Sequence, residues 1–454
     1  MCGLGFVSFT DRVTMDFMDV KLWVKLPSEI LERTLSFLAP PELCRFRTVC
    51  KRWNYLICTP EFRFLCMQNA RQDGCFLVAR YMIRGEGEQD PYADGHFDKN
   101  HGWSFLDLNS RRWHTIKQDG HDVFDYFNIA SDVAMDGGLV CQILDTEYGY
   151  MSALPDILVS NPIARVSRIL PPPPCPCYTD TSKLNIVVNN PGRNFKVLVI
   201  PNSLDLKTAG SPFLVVYDSA SDQWRCSSFP SMPQMSNPHI SIDVQCSVFL
   251  GDETLYVLTS AGVEFAEEFL LWSYNHVEDT WIDTGVSITG MELIYPQLIV
   301  SCNQLFLASW WRTSHALWLP SGDAASQWSY EIRKINLEDK TLTRVFNMTG
   351  EIMAHIFEMP AQGLDQGWDS ALHQGLLAHA FGLTAFGIGK FIVLICEPDM
   401  GQYNSGVAIV YDRSTSSWDL LPKNPLIPFN FESGLHKLWY RKPMNLFLPV
   451  NRLW

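Results

Sequence analysis

One spacing recurs along this chain and limits what it can fold into. A hydrophobic run ends in Asp or Asn, and six positions later stands a Trp or a degenerate equivalent. Phe105-Leu106-Asp107 leads to Trp113, Val216-Tyr217-Asp218 to Trp224, Ser273-Tyr274-Asn275 to Trp281, and Val410-Tyr411-Asp412 to Trp418. Two further copies keep the spacing without the Trp, Asn161 to Ser167 and Asn336 to Leu342. Successive anchors are 54, 57, 57, 61 and 76 residues apart. An Asp or Asn that closes a tight turn bonds its own backbone, so each copy reads as a β-hairpin whose second strand begins at the anchor. More strand-like runs lie between anchors, such as Phe195–Ile200, Thr254–Thr259, Gln304–Ser309 and Lys390–Cys396. Each unit has room for three or four antiparallel strands. Six such sheets set radially form a β-propeller, which leaves only short, protected sheet edges.

Composition agrees with many short strands. Of 454 residues, 47% are hydrophobic and only 19% charged, and 28 Gly with 27 Pro supply the turns. The 13 Cys are odd in number and scattered, and Met1–Thr10 has no basic segment leading into an apolar one. The longest apolar run, Phe391–Cys396, is strand length and far short of a membrane span. These features predict a reducing compartment, cytoplasm or nucleus, with thiols serving as small core residues and no membrane partner. A net charge of −14 weighs against a nucleic-acid partner, which needs a basic face. The charge is uneven, however. Residues 21–70 carry eight basic and four acidic side chains, a balance of +4, so the remainder stands at −18. Opposite electrostatics in two parts predict different partners for them.

The basic part reads as helices. Leu26-Pro27-Ser28-Glu29 opens one, with Pro27 in the first turn and Glu29 near the positive end of the dipole. Leu26, Ile30, Leu31, Leu35 and Leu38 follow near helical spacing until Pro40-Pro41 stops it. A second helix starts at Pro41, and a third carries Trp53, Leu56 and Ile57 up to Thr59-Pro60. So small a three-helix bundle buries only a modest share of its surface and leaves apolar side chains for a partner to cover.

The stretch Leu26-Pro-Ser-Glu-Ile-Leu-Glu-Arg-Thr-Leu-Ser-Phe-Leu38, followed by Leu43-Cys-Arg-Phe-Arg-Thr-Val-Cys-Lys-Arg-Trp53, resembles an F-box. The opening Leu-Pro-x-Glu and the closing Val-Cys-Lys-Arg-Trp stand at the family's spacing. The resemblance implies docking onto the Skp-type adaptor of a cullin–RING ubiquitin ligase. It assigns Leu26, Pro27, Ile30, Leu31, Leu35, Val49, Cys50 and Trp53 to the docking face or its support. The repeat units, with Val159-Ser-Asn-Pro162 followed by Ile169-Leu-Pro-Pro172, resemble the kelch-related propellers that accompany F-boxes in land plants. Their period exceeds the ~50 residues usual for kelch repeats, and only Gly137-Gly138 gives a clear Gly pair. The expected organisation is an N-terminal tail over 1–21, an F-box over 22–68 and a six-bladed kelch-like propeller over 75–450, a mainly β protein.

Long loops on a rigid scaffold often carry binding. Leu307–Tyr330 holds Trp310, Trp311, Arg312 and Trp318, and Trp and Arg are frequent interface anchors. These four are the sequence's candidates for contact with a substrate protein. Catalytic signatures are missing. Gly387-Ile-Gly-Lys390 lacks the first Gly of a phosphate loop and reads as a hairpin turn. Cys175-Pro-Cys177 has no second pair for zinc. No cofactor, metal or catalytic residue is therefore expected. The leading expectation is a non-catalytic substrate receptor of a ubiquitin ligase. Its rivals are a propeller enzyme or small-molecule receptor with a vestigial F-box, and a non-degradative scaffold.

Overall fold

The computed structural model describes residues 26–38, 40–69, 76–83, 100–117, 133–144, 156–161, 166–174, 182–189, 194–201, 203–204, 214–227, 242–261, 268–289, 291–313, 328–349, 381–398, 408–422 and 439–444. The expected tail over 1–21, the Cys175-Pro-Cys177 segment and Trp318 lie outside them. Four helices come first: α1 (Ser28–Leu35), α2 (Pro40–Phe46), α3 (Lys51–Ile57) and α4 (Pro60–Asn69). The sequence predicted three, ending at Pro60. Instead Pro60 opens a further helix, where its missing N–H is harmless, and the Thr59 hydroxyl accepts from the Phe62 N–H at 3.3 Å.

Among the described residues, every regular element from Phe76 onward is a strand. Among the described residues the strands form six antiparallel sheets. Sheet 2 runs Val133–Asp136, Leu139–Leu144, Asp156–Asn161 and Val166–Ile169 from inside outward. Sheet 3 is Lys183–Asn189, Asn194–Ile200, Leu214–Asp218 and Gln223–Ser227. Sheet 4 is Ile242–Leu250, Thr254–Ala261, Glu268–Asn275 and Thr280–Ile288, with the short Ser203–Leu204 added on its inner edge. Sheet 5 is Met291–Ser301, Gln304–Thr313, Trp328–Asn336 and Thr341–Thr349, and sheet 6 is Phe381–Ile388, Phe391–Pro398, Ala408–Asp412 and Ser417–Leu420. Sheet 1 joins both ends of the sequence: Trp439–Met444 is innermost, then Phe76–Ile83, Asn100–Asp107 and Arg112–Lys117. The innermost strands pack side by side in cyclic order, with that of sheet 1 touching those of sheets 6 and 2. The architecture is a β-propeller.

The recurring spacing is a recurring hairpin. Across the last two strands of each sheet the register pairs Leu106 with Trp113, Ser160 with Ser167, Tyr217 with Trp224, Tyr274 with Trp281, Ile335 with Leu342 and Tyr411 with Trp418. In five copies the Asp or Asn side chain accepts the N–H two residues on: Asn109 to Asp107 at 2.9 Å, Ala220 to Asp218 at 2.8 Å, Val277 to Asn275 at 2.8 Å, Glu338 to Asn336 at 3.4 Å and Ser414 to Asp412 at 2.8 Å. Four positions after each of these five residues the backbone turns left-handed, at Arg111, Asp222, Asp279, Lys340 and Ser416 (φ 53–58°). A left-handed non-Gly residue costs about 1–2 kcal/mol, and the Asx bond in the same turn offsets part of it.

The anchors do more than cover their own hairpin. Trp113 Nε1 donates to the carbonyl of Pro422, just past the outermost strand of sheet 6, at 2.7 Å. Trp224 Nε1 donates to Pro171, just past the outermost strand of sheet 2, at 2.6 Å. The indole thus bridges to the preceding sheet. The core follows the same plan, as separate apolar wedges between neighbouring sheets. Leu139, Val159, Val197 and Tyr217 share one wedge between sheets 2 and 3, and Phe306, Tyr330, Leu383 and Leu394 share one between sheets 5 and 6. Approach is closest at Gly387, where a Cβ would collide with the carbonyl of Val300 on sheet 5. Gly387 is thus a packing position inside a strand, and the turn lies at Gly389-Lys390.

Candidate functional site

The helical segment is a folded unit with an outer surface that its own core does not need. Leu31, Leu35, Leu43, Trp53, Ile57, Phe62 and Cys66 form its interior. Phe46 packs on Trp53 with ring centroids 5.1 Å apart. Polar ties fix the helices. Arg52 donates to the Ser28 hydroxyl at 2.7 Å, joining α3 to the start of α1, and Asn69 donates to the Ser36 hydroxyl at 2.8 Å, joining α4 to its end. Cys50 caps α3, its sulfur accepting from the Trp53 N–H at 3.5 Å. Burial pushes the Cys66 thiol up to about 12, so it behaves as an apolar filler.

The eight residues assigned from sequence divide in two. Leu31, Leu35 and Trp53 are buried inside the bundle. Leu31 and Leu35 stand four apart on the inward stripe of α1, and Ile30 falls one position round the helix onto the outward side. Pro27, Ile30, Val49 and Cys50 are exposed and Leu26 is half-buried. Ile30 is 50% exposed and Val49 60%. Two further aromatics were missed by the motif reading: Phe37 at 49% and Tyr55 at 76%. Their signal was the same helical periodicity, since neither falls on the inward stripe. Covering a large apolar side chain fully contributes about 1.5–3 kcal/mol, so a partner has several such side chains to cover here. Basic side chains, Arg33, Arg45, Lys51 and Arg52, are exposed around them.

The chain enters sheet 1 at its turn end, where Phe76 pairs with Asp107, and α2 lies within electrostatic reach of that end. Burial raises the Glu42 pKa, with Arg45 opposing and Asp107 adding to the rise. Burial also lowers that of His114, and the nearby Arg45 lowers it further. Glu42 and Arg45 belong to α2, whereas Asp107 and His114 flank the first Asx turn of sheet 1. All the short turns described above leave the sheets from this end. The connections 84–99, 118–132, 228–241, 314–327 and 350–380 leave from the opposite end, as the antiparallel topology requires.

The sequence's four substrate candidates fare differently. Trp310 and Trp311 are 4% and 3% exposed, inside the strand Gln304–Thr313 rather than on a loop. Adjacent strand residues point to opposite faces. Trp310 therefore packs edge-on against Tyr330 in the wedge towards sheet 6, with centroids 5.6 Å apart. Trp311 fills the wedge towards sheet 4, under the Arg333 guanidinium at 3.7 Å. Both are core, which corrects their assignment as surface contacts. Arg312 shares the strand; its side chain, like Trp318, lies outside the described residues. Among the described residues no group of three His, Cys, Asp or Glu side chains could hold a metal, and no helix is long and apolar enough to cross a membrane.

Comparison with known proteins matches these two parts. An F-box domain family model fits residues 23–65. The protein UNUSUAL FLORAL ORGANS of Arabidopsis thaliana is 26% identical over 308 residues, 64% of this chain and 62% of that protein. An F-box/kelch-repeat protein of Arabidopsis thaliana is 30% identical over 183 residues, 38% of each chain. The chain thus spans less than two thirds of the length of either relative. Among solved structures, TolB from Acinetobacter baumannii overlaps at a TM-score of 0.39 with 9% identity over 81% of this chain and 66% of that one, too distant to add to the argument.

Proposed function

We propose that this chain, with its F-box domain ahead of a β-propeller in the plant pattern, is the substrate-recognition subunit of a Skp–cullin–F-box ubiquitin ligase. The observation that carries the reading is the division within the F-box. Leu31, Leu35 and Trp53 complete the bundle, while Pro27, Ile30, Val49 and Cys50 stay outside it with nothing of the bundle's own to cover them. We assign those outward residues, with Leu26 at their edge, to the Skp-type adaptor and through it to the cullin. Domain limits of 22–68 and 75–450 suit this division, with each of the six sheets counted as one blade.

The propeller holds the target protein. Its longer connections leave from the end opposite the F-box, and we assign substrate contact to that end, where the segment carrying Trp318 departs from Thr313 next to Arg312. The subunit performs no bond chemistry. It raises the effective concentration of substrate lysines at the charged conjugating enzyme, a proximity effect. The +4 balance of residues 21–70 speeds encounter with an acidic adaptor. The site of action is cytoplasm or nucleus, without membrane or nucleic-acid contact.

The test is Ile30→Asp combined with Val49→Asp in the full chain. Both side chains are exposed, so the thermal midpoint should stay within about 2 °C of wild type, while capture by an immobilised Skp-type adaptor should fall at least tenfold. Undiminished capture by a folded double variant would refute the docking face.

A further inference from the structure

Five of the seams are filled by an apolar wedge, and two of these share an indole bond. Trp113 to Pro422 and Trp224 to Pro171 are the same bond at two different seams. A ring built of like units therefore has to choose where its last sheet closes. At the five seams whose turns are among the described residues, one pair of positions differs from seam to seam. The first is the residue after the anchor, on the outermost strand. The second is the left-handed residue in the turn of the next sheet.

Between sheets 2 and 3 these are Arg168 and Asp222, with Nη2 2.6 Å from Oδ1. Between sheets 3 and 4 they are Arg225 and Asp279, with Nη1 3.1 Å from Oδ2. Each aspartate also accepts the phenol of its own hairpin, Tyr217 or Tyr274, at 2.5 Å, which fixes the carboxylate in place. At the seam where sheet 6 meets sheet 1, the same two positions carry the opposite charges. Asp419 follows the anchor, Arg111 is the left-handed residue, and Nη2 stands 3.6 Å from Oδ2. Between sheets 4 and 5 the positions hold Ile282 and Lys340, and between sheets 5 and 6 Thr343 and Ser416.

We infer that the reversed pair Arg111–Asp419 marks the closing seam, so that sheet 1 accepts the outermost strand of sheet 6 and rejects those of sheets 2 and 3. A turn carrying Arg111 docked on either wrong strand meets Arg168 or Arg225. An outermost strand carrying Asp419 docked on either wrong turn meets Asp222 or Asp279. The rejection acts equally on strands of a second copy of this chain. The Asp419 side chain is 66% exposed, and exposed ion pairs contribute little to stability. Their effect lies in discriminating between partners, where like charges face each other in the wrong pairing.

The experiment uses the full chain with Arg111→Asp and Asp419→Arg together. This keeps an ion pair at the closing seam but gives it the polarity of the other two. Wild type and variant are refolded from denaturant at 50 mM and 500 mM salt and resolved by size-exclusion chromatography with light scattering. The variant is expected to keep the wild-type thermal midpoint. Its monomer yield is expected to fall at least twofold at low salt, with the deficit in dimers and larger species, and the difference to shrink at high salt as charges are screened. A wild-type monomer yield at both salts overturns the inference. Should this variant lose its thermal midpoint, the converse variant, Arg168→Asp with Asp222→Arg, decides by the same yields, and an unchanged yield there overturns it too.

Discussion

His276 shows how a single side chain can tie two sheets and make their union depend on pH. It is 2% exposed, between sheets 3 and 4. Nε2 lies 2.7 Å from the Asp252 carbonyl, which can only accept, so Nε2 carries the proton. Nδ1 is then the acceptor facing Lys196 Nζ at 3.3 Å. Protonating Nδ1 would set a second donor against an ammonium. Burial lowers the His276 pKa, and Lys196 and Arg225 lower it further, against the Asp252 carbonyl. As pH falls through the ordinary histidine range near 6.5, the unfolded chain takes up the proton first. The stabilisation is therefore complete above that range and is lost below it, at up to about 1.4 kcal/mol per pH unit. Asp136, which burial pushes up to about 6, acts in the opposite sense by weakening the fold as pH rises through that value. The comparison that isolates His276 is wild type against His276→Gln, whose amide can reproduce both bonds without titrating. Between pH 7.5 and 5.5 the denaturation midpoint of the variant should fall less steeply than that of wild type. Parallel profiles would mean that His276 does not titrate in this window.

At the scale of the element, the hairpin was legible down to its register because its determinants are local. The Asx turn, the left-handed residue four positions on and the cross-strand partner of each anchor all lie within eight residues. Even the copies anchored by Ser167 and Leu342 therefore sit in the same register as those anchored by Trp. Reading was less secure where identity depends on neighbours distant in sequence. Trp310 and Trp311 look like loop residues beside Arg312 and Pro320, yet two wedges bury them from either side. The indole bond to the preceding sheet was equally hidden, because Pro171 and Pro422 become partners only once the ring is assembled. Trp224 tests that bond. Trp224→Phe keeps a ring against Tyr217, now at a centroid distance of 5.2 Å, and removes only the donor to Pro171. It should cost about 1 kcal/mol, the usual net worth of one hydrogen bond, whereas Trp224→Ala should cost about 3 kcal/mol or more by removing the ring as well. Equal losses in the two variants, measured by denaturant unfolding, would show that the bond contributes nothing.

For the whole molecule the decisive element is the strand Trp439–Met444, which sequence reading placed inside the propeller range but did not identify as the closure. It has no Asp-to-Trp spacing of its own, and its partner Phe76–Ile83 belongs to the far end of the sequence. That strand pairs with sheet 1 and packs between the innermost strands of sheets 6 and 2. Without it, Phe76–Ile83 would present a row of unpaired N–H and C=O groups to solvent, a template for pairing with another chain. The strand also lies between the innermost strands of sheets 6 and 2, so the damage should spread beyond sheet 1. Closing a ring through contacts so distant in sequence is also slow, because loop entropy opposes it until the last strand docks. Ending the chain after Leu438 should therefore lower the thermal midpoint by more than 10 °C and shift the protein from monomer to aggregates that grow with concentration. A peptide spanning residues 436–447, added during refolding, should restore monomer by filling the same position on Phe76–Ile83. A truncated chain that stays monomeric with an unchanged midpoint would show that the ring closes without this strand, and that the apolar wedge of Leu106, Leu108, Phe391 and Val393, with Trp113–Pro422 and Arg111–Asp419, holds the seam between sheets 6 and 1.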